Sequence, residues 1–396
     1  MPGLPAFCLR PRDLRRGAVL TLAFVAAVAT AAGTGCWDRA GATDAGGLTS
    51  APPGSSASPS PRAVGTADRE AVARAAAEAV AEGKSGKKAA QEVVSRSGDR
   101  WGTVYDQGEY AAFAEDLDGR WTGVGLWVER GRAGRIEIER VQPGGPAARA
   151  GLRAGDRLLG VDGHSVTGLP VAEVVALLRG AAGTPAALCL SRDGADYSET
   201  VRREQLRAEP VTVRELPGGI TVIKVASFTR GSGERVRAAV RAAPADARLM
   251  LDLRGNPGGL VTEAVTAASA FLDGGLVATY DVRGTERALY AARGGDTARP
   301  LVALVDGGTM SAAELVTGAL QDRGRAVTVG TRTFGKGSVQ MPTRLPDGSV
   351  AELTVGTYRT PAGRSLDGGG ITPDLAADER AEERARTVLG GLGVGP

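Results

Sequence analysis

From about Val211 onward the chain repeats one pattern: a short apolar run, a turn rich in glycine, a helical stretch, then another apolar run. The runs Ile220–Phe228, Leu249–Leu253, Leu276–Val282, Leu301–Val305 and Ala326–Val329 read as strands, and Thr262–Phe271 and Ser311–Gln321 read as helices. Strands that are apolar on both faces must be covered on both faces, which helices do best, so this half of the chain is expected to be an α/β core. The segment from Ser349 to Thr360 adds further β character.

The stretch from Trp121 to Val201 has a different rhythm. Short strands are expected at Gly125–Val128, Ile136–Val141, Arg157–Val161 and Ala186–Ser191. Pro146 to Gly151 reads as a one-turn helix, with Pro at its start and Gly past its end. Pro170 to Arg179 reads as a second helix, in which Val171, Val174, Val175 and Leu178 form one apolar stripe. A chain of 396 residues has room for two or three such domains. The expected divisions are 1–36 as an export signal, 37–65 as a flexible linker, 66–117 as an N-terminal helical region, 118–205 as a β-rich domain and 206–396 as the α/β core. The helical region reads as two short helices between Ala67 and Ser97, of the kind that packs on a neighbour or a second subunit, so a homo-oligomer is among the expectations.

The N-terminus carries Arg10, Arg12, Arg15 and Arg16, then an uncharged, largely apolar run from Gly17 to Ala32. Gly33-Thr34-Gly35-Cys36 follows, placing Cys36 where a bacterial lipoprotein is lipidated. Lipoprotein, uncleaved membrane anchor and secreted protein all fit, and each places the protein outside the cytoplasm, at the outer face of the membrane or released. The net formal charge is only +3, which gives no strong attraction for nucleic acid. Cys36 and Cys189 are the only cysteines past the basic segment, so neither a disulfide framework nor a metal-ligand spacing is present, and no cofactor is expected. Cys189 reads as a buried strand residue, and His164 as a surface turn residue.

Lysine usage points to chemistry. The chain has 48 Lys and Arg residues, yet only Lys84, Lys87, Lys88, Lys224 and Lys336 are lysines. Lys336 stands between Gly335 and Gly337, 25 residues after Ser311. A buried lysine can lose its proton and act as a base, whereas arginine stays protonated. Ser311 follows an apolar strand and the turn Asp306-Gly307-Gly308, at the start of a helix, where unpaired N–H groups favour negative charge. A plain helix cap is the other reading of that serine. Leu251 to Gly259 forms a strand and a Gly-rich turn able to aim backbone N–H groups at an oxyanion.

Two resemblances follow. Thr122-Gly123-Val124-Gly125-Leu126 and Gly145 to Gly163 resemble a PDZ domain, whose glycine loop binds a peptide carboxylate beside an open strand edge. Leu251 to Gly259, Ser311-Ala312-Ala313-Glu314, Ala319 to Arg323, Thr333 to Gln340 and Gly369 to Asp374 resemble the carboxyl-terminal processing proteases, also called tail-specific proteases. The resemblance implies a multidomain α/β protein with a PDZ domain and a core of the ClpP/crotonase-like kind. It implies Ser311 as nucleophile, Lys336 as general base, Gln340 as the side chain that orients it, and the N–H groups of Ala312 and of Gly258 or Gly259 as the oxyanion hole. It also implies that Thr122 to Leu126 capture the apolar, unstructured C-terminal tails of protein substrates. A non-catalytic PDZ adaptor on an inactive protease fold is the competing expectation. A β-lactamase-like enzyme is excluded by spacing, since it needs Lys three residues after the serine and position 314 is Glu.

Overall fold

The structure, a computed structural model, describes residues 66–131, 134–282 and 285–392. The export signal, the linker and Cys36 lie outside the described residues. Among the described residues no helix is long and apolar enough to cross a membrane. The described chain forms two compact units. One comprises Thr122–Leu206; the other joins 66–121 to 207–392.

The larger unit begins with three helices. Helix α1 (Arg69–Ala81) starts at Asp68, whose carboxylate accepts from the Glu70 N–H. Helix α2 (Gly86–Ser97) is capped by Ser85 and stopped by Gly98, which takes the left-handed conformation a helix C-terminus favours. Helix α3 (Gln107–Leu117) opens with a reciprocal capping box between Asp106 and Glu109. Val72, Ala76, Ala90 and Val94 of α1 and α2 are buried against Val104, Leu345, Ala351 and Leu353. The helical region is therefore part of this unit's core rather than a solvated arm.

The smaller unit is an antiparallel sheet in the order Leu126–Arg130, Ile136–Val141, Arg157–Val161, Pro185–Arg192, Ala195–Arg202. Helices α4 (Pro146–Arg149) and α5 (Val171–Leu178) pack on it. Val174 and Leu178 of α5 are buried among Val124, Leu126, Ile138 and Leu188, which is the apolar stripe at work. Cys189 lies on the strand Pro185–Arg192 but is only half-buried, because its side of the strand alternates away from Leu188 and Leu190. His164 is exposed.

The rest of the larger unit is built on a six-stranded sheet in the order Val211–Leu216, Ile220–Val225, Arg248–Asp252, Leu301–Val305, Val327–Gly330, Leu375–Ala376. The first pair is antiparallel and the others are parallel. Alternation explains the unbroken apolar runs. Leu249, Leu251, Leu301 and Ala303 face helices α6 (Ser232–Ala242), α7 (Val261–Ala268) and α8 (Ala312–Asp322). Met250, Val302 and Leu304 face α9 (Ala381–Leu392), which contributes Ala381, Ala385 and Leu389. A second sheet of this unit joins Thr103–Tyr105, Val350–Arg359, Leu276–Val282 and Thr285–Tyr290, with Ser338–Arg344 also paired to Val350–Arg359. Thus Lys336 lies just before one strand of the second sheet, while Ser311 lies at the end of a loop from the first.

Candidate active site

Ser311 is the N-cap of α8 and has φ 53° and ψ −117°. Positive φ on a residue other than glycine is uncommon and strained, and it persists only where surroundings over-determine it. The surroundings here are hydrogen bonds. The Met310 N–H donates to the Asn256 carbonyl at 2.9 Å, and the Thr309 hydroxyl donates to the Leu253 carbonyl at 2.9 Å. The Gly255 N–H donates to Asp306 Oδ1 at 2.8 Å. These bonds tie the turn after Leu301–Val305 to the turn after Arg248–Asp252. The Glu314 N–H donates to the Ser311 carbonyl at 2.8 Å, and the Glu314 side chain reaches back to the Ser311 N–H, the return bond of a capping box.

The glycines of the second turn separate into two roles. Asn256 is fully buried; its amide donates to the Val225 carbonyl at 2.9 Å, and its oxygen accepts the Gly258 N–H at 2.8 Å. Gly258 is buried with its own N–H already engaged, whereas Gly259 is exposed. A Cβ on Gly258 would lie 3.0 Å from both Ser311 Cβ and the Ala312 nitrogen, so the absence of a side chain is what lets this turn touch the serine.

The loop carrying Lys336 is held by one carboxylate. Glu314 is fully buried. Its Oε2 accepts the N–H of Ser311 and the N–H of Lys336, each at 2.9 Å. Its Oε1 accepts the Gly335 N–H at 2.8 Å and the Thr333 hydroxyl at 2.5 Å. Thr333 Oγ1 in turn accepts the Ile371 N–H at 2.7 Å. Gln321 donates to Asp374 Oδ1 at 3.0 Å, so the segments Ala319–Arg323 and Gly369–Asp374 are bonded to each other. A Cβ on Gly337 would come within 2.4 Å of the Asp367 nitrogen, so the position after Lys336 has no room for a side chain.

The Lys336 side chain is half-buried. Burial pushes its amine below the ordinary lysine range, and the nearby carboxylates of Glu352 and Asp99 pull the other way. Burial raises Glu352 above the usual carboxylate range, with Lys336 opposing. The Lys336 amine makes no hydrogen bond to Ser311 among the described residues; it lies 5.0 Å from the centre of the Trp101 ring. Gln340 follows a bulge in its strand and donates to Ser338 Oγ at 2.7 Å and, weakly, to Thr354 Oγ1 at 3.4 Å, not to Lys336. The structure therefore gathers Ser311, Ala312, Gly258 and the Lys336 backbone, and leaves the Lys336 amine and Gln340 facing other partners.

Sequence reasoning missed Glu314 as the tie between the two loops. The signal was present, since Ser-x-x-Glu at a helix start is a capping-box spacing. Asp99, Trp101, Asn256 and Glu352 carried no comparable local signal. In the smaller unit, Thr122 is half-buried and Gly123, Val124, Gly125 and Leu126 are buried. Gly125 takes φ 82°, and Leu126 starts a strand at the edge of the sheet. Gly123 bridges to Arg179 at the end of α5.

Comparison with known proteins gives the same two parts. Residues 219–377 match peptidase family S41, and residues 137–190 match the PDZ domain. The carboxy-terminal-processing protease of Bartonella bacilliformis is 37% identical over 250 residues, 60% of this chain and 57% of that protein. The carboxy-terminal processing protease CtpA of Bacillus subtilis is 33% identical over 285 residues, 71% of this chain and 61% of that protein. The solved photosystem II D1 C-terminal processing protease is 31% identical with a TM-score of 0.51, covering 78% of this chain and 86% of that one. These matches put a PDZ domain and a peptidase unit in a single chain. The chain belongs to the carboxyl-terminal processing proteases of peptidase family S41. It spans 57% and 61% of the length of the two curated relatives named.

Proposed function

We propose that this chain is an exported serine endopeptidase that cleaves protein substrates near their C-termini, with Ser311 as nucleophile and Lys336 as general base. The observation that carries the reading is Glu314, whose Oε2 holds the N–H of both residues and so brings the nucleophile turn and the base loop onto one buried group. Burial lowers the Lys336 amine toward the neutral form a base must have. The neutral amine takes the Ser311 proton while Oγ attacks the scissile carbonyl. The tetrahedral oxyanion is received by the N–H of Ala312 and of Gly259, since the Gly258 N–H is committed to Asn256. Collapse expels the amine of the C-terminal fragment, which takes the proton from Lys336. Water then resolves the acyl-enzyme by the same base. In its proposed role Gln340 turns from Ser338 to orient Lys336. The core is read as ClpP/crotonase-like, and Thr122 to Leu126 as the loop that receives apolar, unstructured tails. The N-terminal signal, with Cys36 as a lipidation point, would hold the enzyme at the outer face of the membrane.

The test is cleavage of an unfolded substrate with an apolar C-terminus. Ser311→Ala, Lys336→Ala and Lys336→Arg should each be inactive with unchanged circular dichroism. Full activity in Ser311→Ala would remove the nucleophile role, a parent that does not cleave would support the adaptor reading, and an active Lys336→Arg would remove the base role, because guanidinium does not deprotonate in this range.

A further inference from the structure

The loop between α2 and the strand Thr103–Tyr105 reaches the base. Asp99 is 7% exposed, and its carboxylate accepts four hydrogen bonds. Two are local, from the N–H of Trp101 at 3.1 Å and of Gly102 at 2.9 Å. Two come from Thr354, its N–H at 2.9 Å and its hydroxyl at 2.7 Å. Asp99 thus pins the loop to the strand Val350–Arg359, and with it Trp101. The Trp101 ring packs on Phe334, two residues before the base, with centroids 5.8 Å apart and planes at 58°. The Lys336 Nζ lies 5.0 Å from the indole centroid. The indole N–H is buried and makes no hydrogen bond. The ring is therefore fixed by packing and by the Asp99 turn, and its face is presented to an amine.

The charged groups around that amine come from three elements. Asp99 and Arg100 belong to the same loop, and Arg100 lies 5.3 Å from the Trp101 ring centre. Glu352 is on the strand Val350–Arg359 and influences the amine through space. Glu314 comes from α8 and bonds the Lys336 N–H. An aromatic face attracts ammonium and not a neutral amine, so the ring favours the protonated form where it sits.

We propose that Trp101 is a positioning residue for the general base: its ring is the platform on which the Lys336 ammonium rests, and the amine leaves it for Ser311 on losing its proton. The inference rests on reading Lys336 as the base. It makes the N-terminal helical region a part of the catalytic unit, because the loop that follows α2 supplies the platform.

The experiment uses the full chain and its five lysines. Competitive acetylation across pH, read by mass spectrometry, titrates Lys336 without reference to activity, with Lys224 as internal control. Trp101→Leu keeps apolar cover but removes the π face. The ammonium then loses a partner, so the Lys336 titration moves to lower pH by about half to one unit. The acid limb of kcat/KM moves the same way, and the plateau kcat falls about tenfold or more with KM little changed, because the amine is no longer placed. Trp101→Phe, with a weaker π face, shifts less in the same direction. Should the Leu variant fail to fold, Trp101→Met serves in its place. A Leu or Met variant that titrates and cleaves like the parent overturns the proposal. If Lys336→Ala is dead while that result is obtained, only the role of Trp101 falls; if Lys336→Ala cleaves normally, the base reading falls instead.

Discussion

Replacing Glu314 with Gln would test whether one buried carboxylate assembles the site. The carboxylate is wholly shielded from solvent and accepts four hydrogen bonds, three from backbone N–H groups and one from Thr333. Gln keeps the shape but turns one acceptor oxygen into a donor. If the amide nitrogen replaces Oε2, the N–H groups of Ser311 and Lys336 lose their acceptor together. If it replaces Oε1, Thr333 can rotate its hydroxyl to accept, but the Gly335 N–H is left unpaired. Each buried donor without an acceptor costs about 1–3 kcal/mol, and the bonds that remain lose their charge assistance. The sum is about 2–5 kcal/mol, a large share of a typical folding free energy. For a unit of this size that corresponds to a Tm lowered by about 4–20 °C. Thermal unfolding followed by circular dichroism measures it, and cleavage assayed well below either midpoint measures the loss of placement, expected at about tenfold or more in kcat. Combining Glu314→Gln with Thr333→Val should be less damaging than the two effects added, because the hydroxyl and the carboxylate are partners. A Glu314→Gln protein that melts within about 1 °C of the parent and turns over at the parental rate would refute the argument.

Two further outcomes follow from the same geometry. Burial lowers the Lys336 amine and Glu352 partly restores it, so kcat/KM should rise with pH through a limb below the ordinary lysine range. Glu352→Gln removes a charge that favours the ammonium and should move that limb to lower pH; a limb that stays or moves up would contradict the assignment. Gly259→Ala would place a Cβ 2.4 Å from the Phe228 carbonyl oxygen at φ 127°, so it should lower stability by about 1–3 kcal/mol in urea unfolding, and an unchanged midpoint would show that the turn is free to shift.

The architecture was legible wherever burial imposes a strong period. The runs around Leu251 and Leu301 are apolar on both faces because α7 and α8 cover one face and α9 the other, and no other placement hides them. Helices α6 and α9 escaped because each buries a thin stripe, Val236 and Val240 in one and Ala381, Ala385 and Leu389 in the other, amid Arg and Glu. The seryl turn and the glycine turn were readable because strand, turn and helix follow one another locally. What stayed hidden is long-range. Asp99 meets Thr354 across 255 residues, and nothing near Asp99 in the chain marks it as the anchor of the loop that carries Trp101.

The same distinction explains where this protein concentrates unfavourable features. A positive φ at Ser311, a carboxylate at Glu314 with no exposure, an amide at Asn256 with no exposure and an amine pushed toward neutrality at Lys336 all occur around two neighbouring loops. Each alone opposes folding, by strain or by desolvation. They persist because they satisfy one another: Asn256 fills the Gly258 N–H, and Glu314 fills both Ser311 and Lys336. A structural turn needs no such arrangement, since a Ser cap on a water-facing helix end would meet the same backbone requirement at lower cost. The Lys336 amine is the member the network leaves out: its backbone is fixed by Glu314, while its side chain lies over the Trp101 ring and feels the carboxylates of Glu352 and Asp99 through space. A group whose backbone is rigid and whose tip is uncommitted can change partners without disturbing the fold, and that is the freedom the proposed base role of Lys336 toward Ser311 requires.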